Sequence, residues 1–123
     1  VSACYIFLAI VLAPAIIEGG INPLAAHLYV LYWGVLSFIT PPVAIAAITA
    51  SSIANTSALK TGFLSMRLGS ILFFLPVLFV FDPAMLMQGD VINILTSFSM
   101  AVFAIIIISS GFEGYIYFFG KIN

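Results

Sequence analysis

The sequence predicts an all-α integral membrane fold, and three observations carry that expectation. Mean hydropathy is +1.32. Only three basic and four acidic side chains occur in 123 residues. The apolar residues fall into long uncharged runs separated by turn signals. Soluble domains carry roughly a quarter charged residues, so a chain with 6% has lipid as its main solvent.

A helix that crosses the hydrocarbon core needs about 20 mostly apolar residues. The first run, residues 2–17, stops at Glu18-Gly19-Gly20-Ile21-Asn22-Pro23, where a glycine pair and a proline end a helix. Residues 1–22 read as one arm that leaves the membrane at this turn. The run has no basic leader and no initiating Met, which argues against a signal peptide. The chain is expected to begin inside a longer one.

Residues 24–54 are too long for one straight span, because continuous helix would reach about 45 Å. The break falls at Thr40-Pro41-Pro42. Adjacent prolines delete two amide donors, and each disfavours helix for the residue before it. Segment 23–54 therefore reads as a discontinuous transmembrane helix broken at 40–42, its halves being 24–39 and 41–54.

Segment 55–68 sets Lys60 and Arg67 among Thr56, Ser57, Thr61, Gly62 and Ser65, a mixture suited to the headgroup interface. Residues 69–90 read as a transmembrane helix kinked at Pro76, running through Asp82-Pro83 to a turn at Gln88-Gly89-Asp90. Residues 91–123 supply the last span and a tail. In that tail Tyr115, Tyr117, Phe118 and Phe119 beside Lys121 read as an interfacial aromatic belt. If the runs alternate in direction, Glu18, Asp82 and Asp90 share one side and Lys60, Arg67 and Lys121 the other, as the positive-inside rule requires.

Composition also excludes functions. A formal charge of -1 leaves no electrostatic footprint for nucleic acid. One cysteine, Cys4, cannot build a disulfide framework or a thiolate metal site. His27 is the single histidine, and no Ser-His-Asp set, metal-spaced pair or phosphate loop accompanies it, so an enzyme is not expected. His27 itself reads as an interfacial or hydrogen-bonded side chain, with a proton-linked role as the alternative. Asp82 reads as part of an interfacial turn. The cluster Thr49, Ser51, Ser52, Asn55, Thr56 and Ser57 reads as helix termination and interhelical bonding.

The proline break is the most informative feature. Inside a bilayer every backbone polar group must find a partner, so broken helix is tolerated only where protein buries it or where it lines a cavity. The ending half-helix offers carbonyls that suit Na⁺, and the beginning one offers amides and a positive dipole end that suit an anion. Thr40 is placed to cap the second half-helix, with Pro41 in its first position, or to lend its oxygen to a cation. Gly34 and Ser37 upstream, and Ala44, Ala46, Ala47 and Ala50 downstream, permit close packing. A proline pair can also simply kink a helix; the run length and the threonine favour a functional break.

Several short motifs then carry a resemblance: Leu12-Ala13-Pro14-Ala15, Gly20-Ile21-Asn22-Pro23-Leu24-Ala25-Ala26-His27, Ile39-Thr40-Pro41-Pro42-Val43-Ala44, Lys60-Thr61-Gly62 and Phe81-Asp82-Pro83-Ala84. In their order and spacing they resemble the large subunit of tripartite ATP-independent periplasmic (TRAP) transporters, closest to the C-terminal portion of the fused small-plus-large type. The likeness covers most of residues 1–87. It implies an elevator-type secondary transporter of the bacterial inner membrane, driven by a Na⁺ gradient. Its substrate would be an organic anion, commonly a carboxylate, delivered by a soluble periplasmic binding protein.

On that resemblance residues 1–17 are the outgoing arm of a re-entrant hairpin whose tip precedes Val1. The remainder of the permease and a small membrane subunit are the expected partners. The expected Na⁺ ligands are Ser37, Ile39 and Thr40; Thr40, Pro42 and Val43 are expected at the substrate. The alternative from another class is a small membrane subunit that anchors or scaffolds a membrane complex.

Overall fold

The computed structural model describes residues 1–116 and 120–121, and of Tyr115, Ile116 and Lys121 the backbone alone. Among the described residues the chain forms helices α1 (Ser2–Glu18), α2 (Pro23–Leu36), α3 (Ile45–Ile53), α4 (Ala58–Leu68), α5 (Ile71–Phe81) and α6 (Val91–Glu113). A 3-10 turn at Pro83–Leu86 links α5 to α6.

Helices α1 and α2 form an antiparallel hairpin. Asn22 ends its turn as the N-cap of α2: its side-chain oxygen accepts the Leu24 N–H at 2.8 Å, and Pro23 fills the first helical position, where no amide is missed. The other end of the pair closes through Gly34. A Cβ there would sit 3.9 Å from Val1 Cγ1 and 4.0 Å from the Tyr5 nitrogen, so only a small residue lets the two backbones come this near. Between these ends Ala13, Ala25, Ala26 and Val30 are fully buried.

Helix α2 is held between α1 and α5. On the α5 side Tyr32 meets Phe79 edge-on with centroids 5.4 Å apart, and Trp33 meets Phe73 at 5.9 Å. Edge-to-face pairs of this kind add to the dispersion of simple burial. Helix α3 packs against α4, and α6 lies against the 3-10 turn, α4 and α5.

Helix α6 is long and apolar enough to cross a membrane by itself. Helices α4 and α5 pass the same test together, bent by 44°. The bend lies at Gly69-Ser70, whereas Pro76 sits within an uninterrupted α5. Pro76 is fully buried there. At 1.5 Å per residue α5 is about 16 Å long, roughly half the hydrocarbon thickness.

Asp82 shows why Asp-Pro follows α5. Its extended backbone, φ -129° and ψ 102°, is what a residue before proline prefers, and its carboxylate accepts the Ala84 N–H at 2.9 Å to cap the 3-10 turn.

The acidic and basic turns lie at opposite ends of α6. At its start, the Asn22 amide donates to the Gln88 side-chain oxygen at 2.7 Å, joining the α1–α2 turn to the turn before α6. At its end, the Arg67 guanidinium donates to the carbonyls of Phe112 at 3.0 Å and Glu113 at 3.4 Å. The helix between them spans about 34 Å.

Gly114, left-handed at φ 66°, ends α6. After it Tyr115–Ile116 pairs antiparallel with Gly120–Lys121, a short ladder that the sequence reading does not anticipate. Tyr117, Phe118 and Phe119 of the expected aromatic belt lie outside the described residues.

Candidate functional site: the break at Pro41 and Pro42

Helix α2 rises about 21 Å before it stops, which is shorter than the roughly 30 Å hydrocarbon core of a bilayer. Residues 37–44 form the break, with Pro41 and Pro42 outside both helices. A cleft of about 250 Å³ opens beside it, lined by Trp33, Leu36, Ser37, Thr40, Pro41, Pro42 and Val43.

The structure brings four of the five predicted site residues, Ser37, Thr40, Pro42 and Val43, to this one cleft. Ile39 is not among its lining side chains. The Ile39 side chain turns the other way, towards Gly69, where its Cδ1 lies 3.0 Å from the place of a Cβ.

Thr40 does not cap the second half-helix, contrary to expectation. That helix starts at Ile45, its N-cap is Ala44, and no side chain caps it. The physical reason is the proline pair. Thr40 precedes Pro41 and Pro41 precedes Pro42, so both are pushed away from helical geometry and the new helix cannot open at Pro41. The chain instead turns through Ala44, which adopts the left-handed region at φ 33° and ψ 45°.

The hydroxyls at the break both point backwards. Thr40 Oγ1 donates to the Leu36 carbonyl at 2.8 Å, and Ser37 Oγ donates to the Gly34 carbonyl at 2.7 Å. A hydroxyl carries one proton and two lone pairs, so each of these oxygens is left with acceptor capacity.

The backbone groups divide in an informative way. The Ser37 and Thr40 carbonyls accept the Ala44 amide at 3.1 and 3.0 Å, and the Phe38 carbonyl accepts the Ala46 amide at 3.1 Å. The Leu36 carbonyl accepts the amides of Ile39 and Thr40, both at 3.1 Å. Among the described residues the carbonyls of Ile39, Pro41 and Pro42 accept no backbone amide, and the amides of Val43, Ile45 and Ala47 donate to no carbonyl. One short segment thus presents both free oxygens and free N–H groups.

His27 lies apart from this segment, on the first turns of α2. Its Nδ1 shares a hydrogen bond of 3.1 Å with the Tyr5 hydroxyl, tying α1 to α2. Of the alanines singled out in the sequence, Ala44 and Ala47 are buried and Ala46 and Ala50 exposed.

Two contacts at the break are not among the expectations drawn from the sequence. Gly62 of α4 faces the Pro41 ring, and Gly69 faces Ile39. Seven-residue spacing, which puts both glycines on one face of a helix, was the available signal.

The family model that matches the chain is "Tripartite ATP-independent periplasmic transporter, DctM component", over residues 1–94. No curated protein and no solved structure matches the chain. The matched stretch holds the α1–α2 hairpin, the break, the α4–α5 pair and the turn into α6. With more than half its length matched, the chain belongs to the DctM family, the membrane permease component of tripartite ATP-independent periplasmic transporters, and is a transporter component rather than an enzyme.

Proposed function

We propose that this chain is the C-terminal portion of an elevator-type permease of the fused small-plus-large type, resident in the bacterial inner membrane and driven by a Na⁺ gradient. The break at residues 37–44 is its ion and substrate element. The proposed architecture is a hairpin arm, one helix broken at Pro41-Pro42, and two further transmembrane helices.

The observation that carries this reading is the backward donation of the Ser37 and Thr40 hydroxyls at one cleft. Each hydroxyl spends its proton on a carbonyl of the ending helix, which favours a cation at its remaining lone pairs. The Ile39 carbonyl, which accepts no backbone amide, is the third ligand in this reading. Ser37 and Phe38 carbonyls are less suitable, since amides of the second half-helix already engage them.

The amides of Val43 and Ile45, together with the start of α3, supply the positive end that suits a carboxylate. Thr40, Pro42 and Val43 then form the substrate wall. The substrate is an organic anion handed over by a periplasmic binding protein, and the remainder of the permease and a small membrane subunit complete the machine. Family membership supports this reading over a small anchoring or scaffolding subunit.

The test is uptake into proteoliposomes that hold the intact permease, with its binding protein and a labelled carboxylate outside. Thr40→Val and Ser37→Ala shift the Na⁺ dependence of uptake to higher concentration at unchanged membrane abundance. An unchanged Na⁺ dependence in both variants would sink the cation role.

A further inference from the structure

Helix α4 has two faces of opposite character. Lys60 and Arg67 are seven residues apart, as are Gly62 and Gly69, and at about 100° per residue the basic pair lies on the side away from Gly62. Lys60 and Arg67 are exposed, and Gly62 is the buried residue of the helix.

The glycine side rests on the break at two points. A Cβ on Gly62 would stand 2.7 Å from Pro41 Cγ, 3.4 Å from Pro41 Cδ and 3.9 Å from the Ala44 Cβ. Seven residues on, a Cβ at Gly69 would stand 3.0 Å from Ile39 Cδ1. The two contacts differ in kind. The Ile39 Cδ1 is the end of a rotatable side chain, whereas the Pro41 ring is fixed to the backbone. Any side chain at Gly62 must therefore displace the break itself.

We propose that Gly62 is a positioning residue for the cation element: its bare backbone is the seat against which the Pro41 ring sets the spacing of Ser37, Ile39 and Thr40. Arg67 holds the same helix to the end of α6 through the Phe112 and Glu113 carbonyls, so the seat is anchored at its far end. This inference rests on the reading of the break as a Na⁺ site. It adds a residue outside the break whose size fixes the geometry.

The experiment is equilibrium binding of radiolabelled Na⁺ to the purified intact permease, with Gly62→Ala, Pro41→Ala, the double variant, Thr40→Val and Gly111→Ala. Overpacking against a rigid ring raises the Na⁺ dissociation constant of Gly62→Ala by about tenfold. In the Pro41→Ala background, where the ring is gone, adding Gly62→Ala changes it by less than about twofold, the sign of a direct contact. Gly111 faces open space, so Gly111→Ala leaves binding as in the wild type. If Gly62→Ala binds Na⁺ normally while Thr40→Val does not, the positioning role is wrong and the Na⁺ site stands. If Thr40→Val also binds normally, the reading of the break itself fails. An equal loss from Gly62→Ala with and without Pro41 would overturn the proposed contact.

Discussion

The Thr40 hydroxyl donates to the Leu36 carbonyl at 2.8 Å, closing the end of α2 rather than opening α3. The Leu36 oxygen also receives the amides of Ile39 and Thr40. Its satisfaction therefore does not depend on the hydroxyl, and the hydroxyl oxygen keeps acceptor capacity in a residue that lines the cleft. Thr40→Val is therefore expected to leave the end of α2 folded, which makes the residue a clean target for mutation.

Ala44 is the residue on which the break turns. A left-handed φ of 33° is unfavourable for any residue with a Cβ, and worst for a branched one. Ala44→Val lowers the stability of the detergent-solubilised permease by about 1–2 kcal/mol or more. Ala44→Gly relieves the strain and causes no such loss. Thermal unfolding followed by tryptophan fluorescence checks the pair, and a Gly variant weaker than the Val variant contradicts the account.

Asn22 does two jobs at the first turn, and the structure predicts their separation. Asn22→Ala removes the N-cap and costs about 1 kcal/mol. Gln88→Ala removes only the exposed tie and stays within about 0.5 kcal/mol. Equal losses in chemical unfolding of the two variants would show that the bond to Gln88, not the cap, carries the turn.

Arg67 stabilises the last carbonyls of α6, where a cation also meets the negative end of the helix dipole. Because the side chain is exposed, Arg67→Gln costs only about 0.5–1 kcal/mol at low ionic strength. Added choline chloride shrinks the difference, since salt screens exposed charge. A difference independent of salt assigns the effect to the hydrogen bonds alone.

Proline and glycine made the coarse plan legible. Pro41-Pro42 marks the interruption because missing amides and pre-proline geometry act locally, and Gly19-Gly20 with Asn22-Pro23 marks the first turn for the same reason. What stayed hidden depends on contacts between distant residues. Whether the Thr40 hydroxyl turns forward or back depends on where α3 starts, and the proline pair delays that start until after Ala44. The seat of Gly62 on Pro41 belongs to the packing of α4 against the break and α3, and the 44° bend falls at Gly69-Ser70, beside the Ile39 side chain. No local pattern encodes the partner in such a contact.

The most direct measurement is a sodium titration of the purified intact permease, wild type against Thr40→Val, read by equilibrium binding of radiolabelled Na⁺ and paired with thermal unfolding of both proteins. Loss of one cation ligand predicts a dissociation constant raised by about tenfold or more with little change in unfolding temperature. Sodium binding unchanged by Thr40→Val would contradict the assignment of the break as the cation element.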